Sequence, residues 1–155
     1  DRELVLKRTI DPIKKDYDYI IIDSPPALGP ITINTLSAAT SVLIPIQCEF
    51  FALEGLAQLL NTIKLVKQTI NRRLEIKGFL PTMYSSQNNL SKQVFADLAQ
   101  HFESKLFKID EKSYVVIPRN IKLAEAPSFG KPIMKYDGGA IGARAYTNLA
   151  KAIAG

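Results

Sequence analysis

Residues Tyr17 to Pro26, reading Tyr-Asp-Tyr-Ile-Ile-Ile-Asp-Ser-Pro-Pro, constrain the fold more than any other stretch of the chain. A short, fully apolar, β-branched run of this kind predicts a strand over 19–23, buried on both faces. Two prolines then stop it, since proline has no N–H to give to a ladder. Asp23 falls at the carboxyl end of that strand, the edge along which open α/β sheets bind ligands. Its carboxylate has two readings. It caps the turn after a core strand, or it holds Mg²⁺ directly or through water beside a nucleotide.

The rest of the chain alternates in the same manner. Residues 2–15 predict an amphipathic helix whose last turn Pro12 breaks or displaces. Gly29-Pro30 punctuates a loop before a short helix ending near Ala39, with Thr32 or Asn34 as its cap. Ser41–Ile46 is a second buried strand, with Pro45 near its end, and Cys48 lies in the loop beyond. Leu53, Leu56, Leu60, Ile63, Val66, Ile70 and Leu74 form one apolar stripe, a helix over 53–74. Ile76–Pro81 is a third strand. Asn88 or Asn89 caps a helix over 90–102. Tyr114–Ile117 is a fourth strand, halted by Pro118. Pro118, Pro127 and Pro132 make 119–137 irregular, with at most one helical turn around Leu123–Ala126. An Ala-rich helix over 140–154 closes the chain. This order predicts an α/β fold with a mostly parallel sheet and flanking helices, and the whole of 1–155 as part of a single domain.

Composition excludes several classes. No apolar run approaches the roughly 20 residues a membrane-spanning helix needs. The chain opens Asp-Arg-Glu without a signal-like segment, and the expectation is a cytoplasmic protein with no membrane partner. The single Cys48 permits no internal disulfide, and one His with one Cys builds no structural zinc site. A lone His101 cannot complete a Ser/His/Asp arrangement. The net charge is +5, which permits polyanion binding without establishing it. Six positive residues lie from Lys112 to Arg144, namely Lys112, Arg119, Lys122, Lys131, Lys135 and Arg144. A phosphate loop of the form Gly-x-x-x-x-Gly-Lys-[Ser/Thr] is absent. Gly138-Gly139-Ala140-Ile141-Gly142 lacks its Lys and reads as a turn and helix start that needs free φ and ψ.

Four ordered blocks nevertheless resemble one family. Tyr17–Pro26 looks like the Walker B region of ParA/Soj chromosome- and plasmid-partitioning ATPases. Pro45-Ile46-Gln47 with Glu49–Gly55 is similar to the segment after that family's next strand, and Pro81-Thr82-Met83-Tyr84 to its following strand end. The most specific match is the run Ile117–Pro132, containing Pro118-Arg119-Asn120 and Glu125-Ala126-Pro127-Ser128-Phe129-Gly130-Lys131-Pro132. The blocks cover nearly the whole chain. Family members begin with a deviant Walker A loop, Lys-Gly-Gly-x-Gly-Lys-Thr, which would precede Asp1. The expectation is therefore the C-terminal part of such an ATPase, a partial ParA/MinD-like P-loop NTPase fold without its Walker A strand and helix. In the family that strand lies between the strands ending at Asp23 and Ile46, so an opened sheet, a changed pairing or a covering dimer is expected.

The resemblance implies roles residue by residue. Asp23 matches the Walker B Asp, which would bind Mg²⁺ through water. Ser24, Pro25 and Pro26 begin the segment that senses the γ-phosphate. Gln47 and Phe50–Gly55 lie near the nucleotide and the dimer face. Thr82, Met83, Pro118, Arg119 and Asn120 surround the adenine. Lys122 stands where relatives carry a basic residue for non-specific DNA binding, with Arg119, Lys131 and Lys92 beside it. Gln87 replaces an Arg common in relatives. The intact protein would use ATP and Mg, form an ATP-dependent homodimer, bind nucleoid DNA and hydrolyse ATP slowly under stimulation by a ParB-type partner. The 155 residues alone are expected neither to bind ATP tightly nor to hydrolyse it. Two alternatives are a MinD-like membrane-cycling ATPase, whose basic amphipathic C-terminal helix the Ala-rich end does not match, and a non-catalytic interaction module.

Overall fold

The computed structural model describes residues 1–25 and 27–155. Packing divides the chain into two compact units, Asp1–Val42 with Glu54–Lys77, and Leu43–Leu53 with Gly78–Gly155.

In the first unit a 3-10 turn at Arg2–Leu4 leads into α1 (Val5–Ile10), and Pro12 then tightens the chain into a second 3-10 run over Asp11–Asp16. α2 (Pro30–Ala38) carries Pro30 in its first turn behind a Gly29 N-cap. Proline costs nothing there, because first-turn N–H groups have no helical partner. Thr32 and Asn34 do not cap the helix; they lie inside it. Thr32 Oγ1 donates to Ala27 O at 2.5 Å. Asn34 Nδ2 donates to Arg2 O at 2.8 Å while Oδ1 accepts from Leu6 N at 3.3 Å, fastening the N-terminal segment to α2. Most of α3 (Ala52–Thr69) belongs to this unit and buries Leu56, Ile63 and Val66. It ends five residues before the expected 74, where the N–H groups of Ile70 and Asn71 converge on Val66 O. Asn71 Nδ2 then donates to the carbonyls of Leu36 and Ala39 at 2.9 and 2.8 Å, closing the end of α2.

The buried strand expected over 19–23 is not formed. Its residues pair with no strand among the described residues, and Ile21 is 93% exposed. A strand buried on both faces must have neighbours that satisfy its N–H and C=O groups, and no described segment supplies one. The sheet is accordingly open. Its only ladder among the described residues sets β1 (Ser41–Gln47) beside β2 (Glu75–Thr82), with α3 as the crossover. In β1, Ile44 and Ile46 are buried and Pro45 between them is exposed, so Pro45 is tolerated on the outward side of the pleat.

In the second unit, α4 (Asn89–Phe102) buries Ser91, Val94 and Leu98, and Asn88 Oδ1 caps it by accepting from Leu90 N at 2.9 Å. The strand expected over 114–117 pairs only through single bridges. Val115 N donates to Phe107 O and Ile117 N to Pro81 O, both at 2.8 Å, while Tyr84 bridges Pro118 in parallel. Residues 119–137 are more helical than three prolines suggested: α5 (Ile121–Glu125), a 3-10 turn at Ala126–Phe129 and α6 (Ile133–Tyr136). Pro127 occupies the first turn of the 3-10 segment and Pro132 the N-cap of α6, so both prolines start helices. α7 (Ile141–Ala154) closes the unit. Leu80, Phe107, Val115, Ile117, Ala145 and Leu149 form its core. Gly142 sits within α7, where a Cβ would lie 2.5 Å from Leu123 Cγ. The requirement there is close helix approach, whereas Gly138 and Gly139 do not use positive φ.

Candidate functional site

Three segments of the second unit converge at the carboxyl end of β2. Cys48, just past Gln47 at the end of β1, donates its N–H to Thr82 O at 3.0 Å. Tyr84 N donates to Ile117 O at 3.1 Å, and Arg119 N returns a bond to Tyr84 O at 2.8 Å. Between Thr82 and Tyr84 stands Met83 at φ 53°, the one described non-glycine residue with positive φ. A side chain in that region costs about 1–2 kcal/mol, so the paired segments on either side hold the bend in place. The structure thus brings the segments that carry Gln47, Thr82, Met83, Pro118, Arg119 and Asn120 together at one strand end.

Asn120 is the residue whose chemistry stands out. It is the N-cap of α5, yet its side chain makes no capping bond, and its Oδ1 is buried without a hydrogen-bond partner among the described residues. A buried acceptor left unmade costs about 1–3 kcal/mol, so this position fits a ligand that brings a donor. Beside it, Pro118 adds an apolar strand-end surface. Arg119 Nη2 reaches Glu49 Oε1 at 3.4 Å. Both side chains are more than half exposed, so the pair contributes little to stability but fixes where the guanidinium points. Glu49 and Ser91 were not singled out from the sequence. Ser91 is buried at the start of α4 and its Oγ accepts from Ser85 N at 3.3 Å, anchoring the loop after Met83. No pattern in the sequence distinguishes it from a solvated helix serine. Burial pushes the Cys48 thiol up to about 11, consistent with a packing role.

Asp23 and Pro25 belong to the first unit, and both are exposed. Ser24 Oγ between them is buried and without a partner among the described residues. Pro26 lies outside the described residues. Among those residues no group of three His, Cys, Asp or Glu side chains could hold a metal. Asp23 therefore offers one carboxylate, which suits a Mg²⁺ otherwise held by water and phosphate oxygens.

The four candidate cations occupy different settings. Lys122 in α5 lies 3.5 Å from Glu125 and 5.9 Å from the centre of the Tyr136 ring. Tyr136 Oη donates to Glu125 at 2.8 Å. That bond, and less strongly the Lys122 charge, holds the Glu125 carboxyl below its ordinary range, and the same bond raises the Tyr136 hydroxyl against the opposing pull of Lys122. Arg119 is turned toward Glu49. Lys92 is exposed on α4, and Lys131 is exposed just after Gly130, which turns the chain at φ 60°. No helix of the described residues is long and apolar enough to cross a membrane.

A family model for an AAA domain matches residues 1–76. The sporulation initiation inhibitor protein Soj of Bacillus subtilis is 51% identical over 153 residues, 99% of this chain and 58% of that protein. The chromosome partitioning protein ParA of Myxococcus xanthus is 47% identical over 151 residues, 97% of this chain and 51% of that protein. Among solved structures, cobyrinic acid a,c-diamide synthase from Mycobacterium smegmatis with bound ADP and magnesium is 35% identical with a TM-score of 0.72, covering 96% of this chain and 51% of that one. The fold is that of the P-loop ParA/MinD-like ATPases, of which the chain holds about half. Spanning little more than half the length of the curated relatives it matches, the chain belongs to the ParA/Soj-type family of partitioning ATPases.

Proposed function

We propose that this chain supplies the base-binding half of the nucleotide site in an ATP-dependent DNA-partitioning protein. The observation that carries the reading is the buried, unpartnered Asn120 Oδ1 at a strand-end network bent by Met83. In this reading Asn120 accepts a hydrogen bond from the exocyclic amine of adenine. Pro118 and Met83 pack on the ring, Thr82 and Arg119 set the backbone around it, and Gln47 completes that strand-end surface; Pro25 keeps the nucleotide-contact role that the family resemblance implies. Asp23 would hold Mg²⁺ through bound water. Bound Mg²⁺ would neutralise phosphate charge, the main requirement for phosphoryl transfer. The 155 residues contain no Gly-x-x-x-x-Gly-Lys-[Ser/Thr] loop, so the phosphate cradle in this account comes from outside them. The chain alone then binds ATP weakly and does not turn it over.

The wider activity follows the family: ATP-dependent self-association, non-specific DNA binding through Lys122, Lys131, Lys92 and Arg119, and stimulation by a ParB-type partner. Phosphate contacts by Lys and Arg suffice for DNA binding without base readout. Two substitutions in the longer protein test the two halves of the proposal. Asn120→Ala should weaken ATP binding by about fivefold or more, the worth of one hydrogen bond, while sparing DNA retention in the fraction that is ATP-loaded. Lys122→Ala should weaken DNA retention across a salt series and leave ATP binding intact. Unchanged ATP affinity in Asn120→Ala would reject the base-binding role.

A further inference from the structure

A groove of about 390 Å³ in the second unit lies outside the strand-end network apart from one shared residue, Pro118. Ile109, Val116, Pro118 and Ile141 give it apolar walls, and Arg144 and Asn148, one helical turn apart on α7, line it as well. Ile109 and Ile141 are 53% and 50% exposed, so large apolar side chains face solvent at its mouth. The Arg144 guanidinium forms no ion pair among the described residues. Asp110, next in sequence to the groove residue Ile109, accepts the Lys112 N–H at 2.8 Å within its own turn. An apolar cavity of this size with two polar groups on one wall has the composition of a binding site.

We propose that this groove docks a short acidic segment of a partner protein, with a bulky apolar side chain between Ile109 and Ile141 and a neighbouring carboxylate on Arg144. Charge complementarity selects that occupant. Arg144 is the one charged residue lining the groove, and the chain carries a net charge of +5, which favours approach of an acidic partner. Asn148, at i+4 from Arg144, can bond the occupant's backbone and set its register. The inference does not rest on the nucleotide reading, because neither Arg144 nor Asn148 belongs to that site.

The test uses the 155-residue chain and two peptides, acetyl-Glu-Leu-Phe-Asp-Leu-amide and its neutral Gln/Asn counterpart, titrated by NMR. The acidic peptide should perturb Ile109, Val116, Ile141 and Arg144 and bind up to about fivefold more tightly than the neutral one, the ordinary worth of a partly exposed charge pair. Arg144→Gln should remove that preference without changing the neutral peptide's affinity, and Arg144→Lys should keep most of it. Because Arg144 is exposed, the unfolding midpoint of both variants should match the parent. Equal affinity for the two peptides, shifts centred elsewhere, or an Arg144→Gln effect of the same size on both would overturn the proposal. So would self-association of the chain through these residues, which would make a second copy the occupant.

Discussion

Gly78 is the position where a single methyl group should do the most damage. A Cβ built there lies 2.6 Å from the Lys105 carbonyl oxygen and 2.7 and 2.8 Å from two ring carbons of Phe107. The first obstacle is backbone and cannot rotate away. The second belongs to a ring in the core cluster with Leu80, Val115 and Ile117. Overpacking of this type costs about 1–3 kcal/mol. Replacing glycine returns about 0.4–1 kcal/mol by restricting the unfolded chain. Gly78→Ala should therefore lose about 1.3 kcal/mol net, lowering the unfolding midpoint by roughly 3–5 °C for a chain of this size. Gly55→Ala is the control. Gly55 is exposed within α3 with nothing within 4 Å of a built Cβ, so the same chemical change should gain about 0.5–1 kcal/mol. Thermal unfolding followed by circular dichroism compares the two. A Gly78→Ala protein as stable as the parent, or a Gly55→Ala protein destabilised as much as Gly78→Ala, would refute the close-approach argument.

Three further outcomes can be checked on the same material. Asn88→Ala should cost about 1 kcal/mol by removing the α4 cap, read from urea unfolding. Met83→Gly should be more stable than Met83→Ala by about 1 kcal/mol, since both lose the side chain and only glycine relieves the positive φ. Burial pushes the Cys48 thiol from an ordinary 9.0 up to about 11. Its folded-state pKa is the higher, so the stability linked to it is fully present below about pH 9 and is lost as pH rises toward 11. Alkylation at pH 8 should be much slower for the native chain than for the unfolded one.

The order of elements was legible because it rests on local rules. The α3 stripe, the Asn88 cap and the proline-ended strands each follow from a few neighbouring residues. The failures share a different cause. Ile20-Ile21-Ile22 has the composition of a core strand, but a strand is completed by neighbours, and none among the described residues pairs with it. Pro127 and Pro132 were read as breakers of 119–137, whereas proline at a first turn or N-cap begins a helix. Asn34, taken as a cap, spends its amide on contacts 28 and 32 residues away. The strand-end residues were legible through the family resemblance, since nothing in Pro118-Arg119-Asn120 taken alone signals a buried acceptor. Met83 at positive φ was not legible at all, because the bend is imposed by the pairing of Thr82 and Tyr84 with other segments.

The most direct test of the account compares ATP turnover by the 155-residue chain with turnover by the same chain joined to a family N-terminal segment bearing the phosphate loop. The account predicts no measurable hydrolysis by the chain alone, slow hydrolysis by the joined protein, and loss of that activity in Asp23→Asn. ATP hydrolysis by the 155 residues alone, or a joined protein whose activity survives Asp23→Asn, would contradict it.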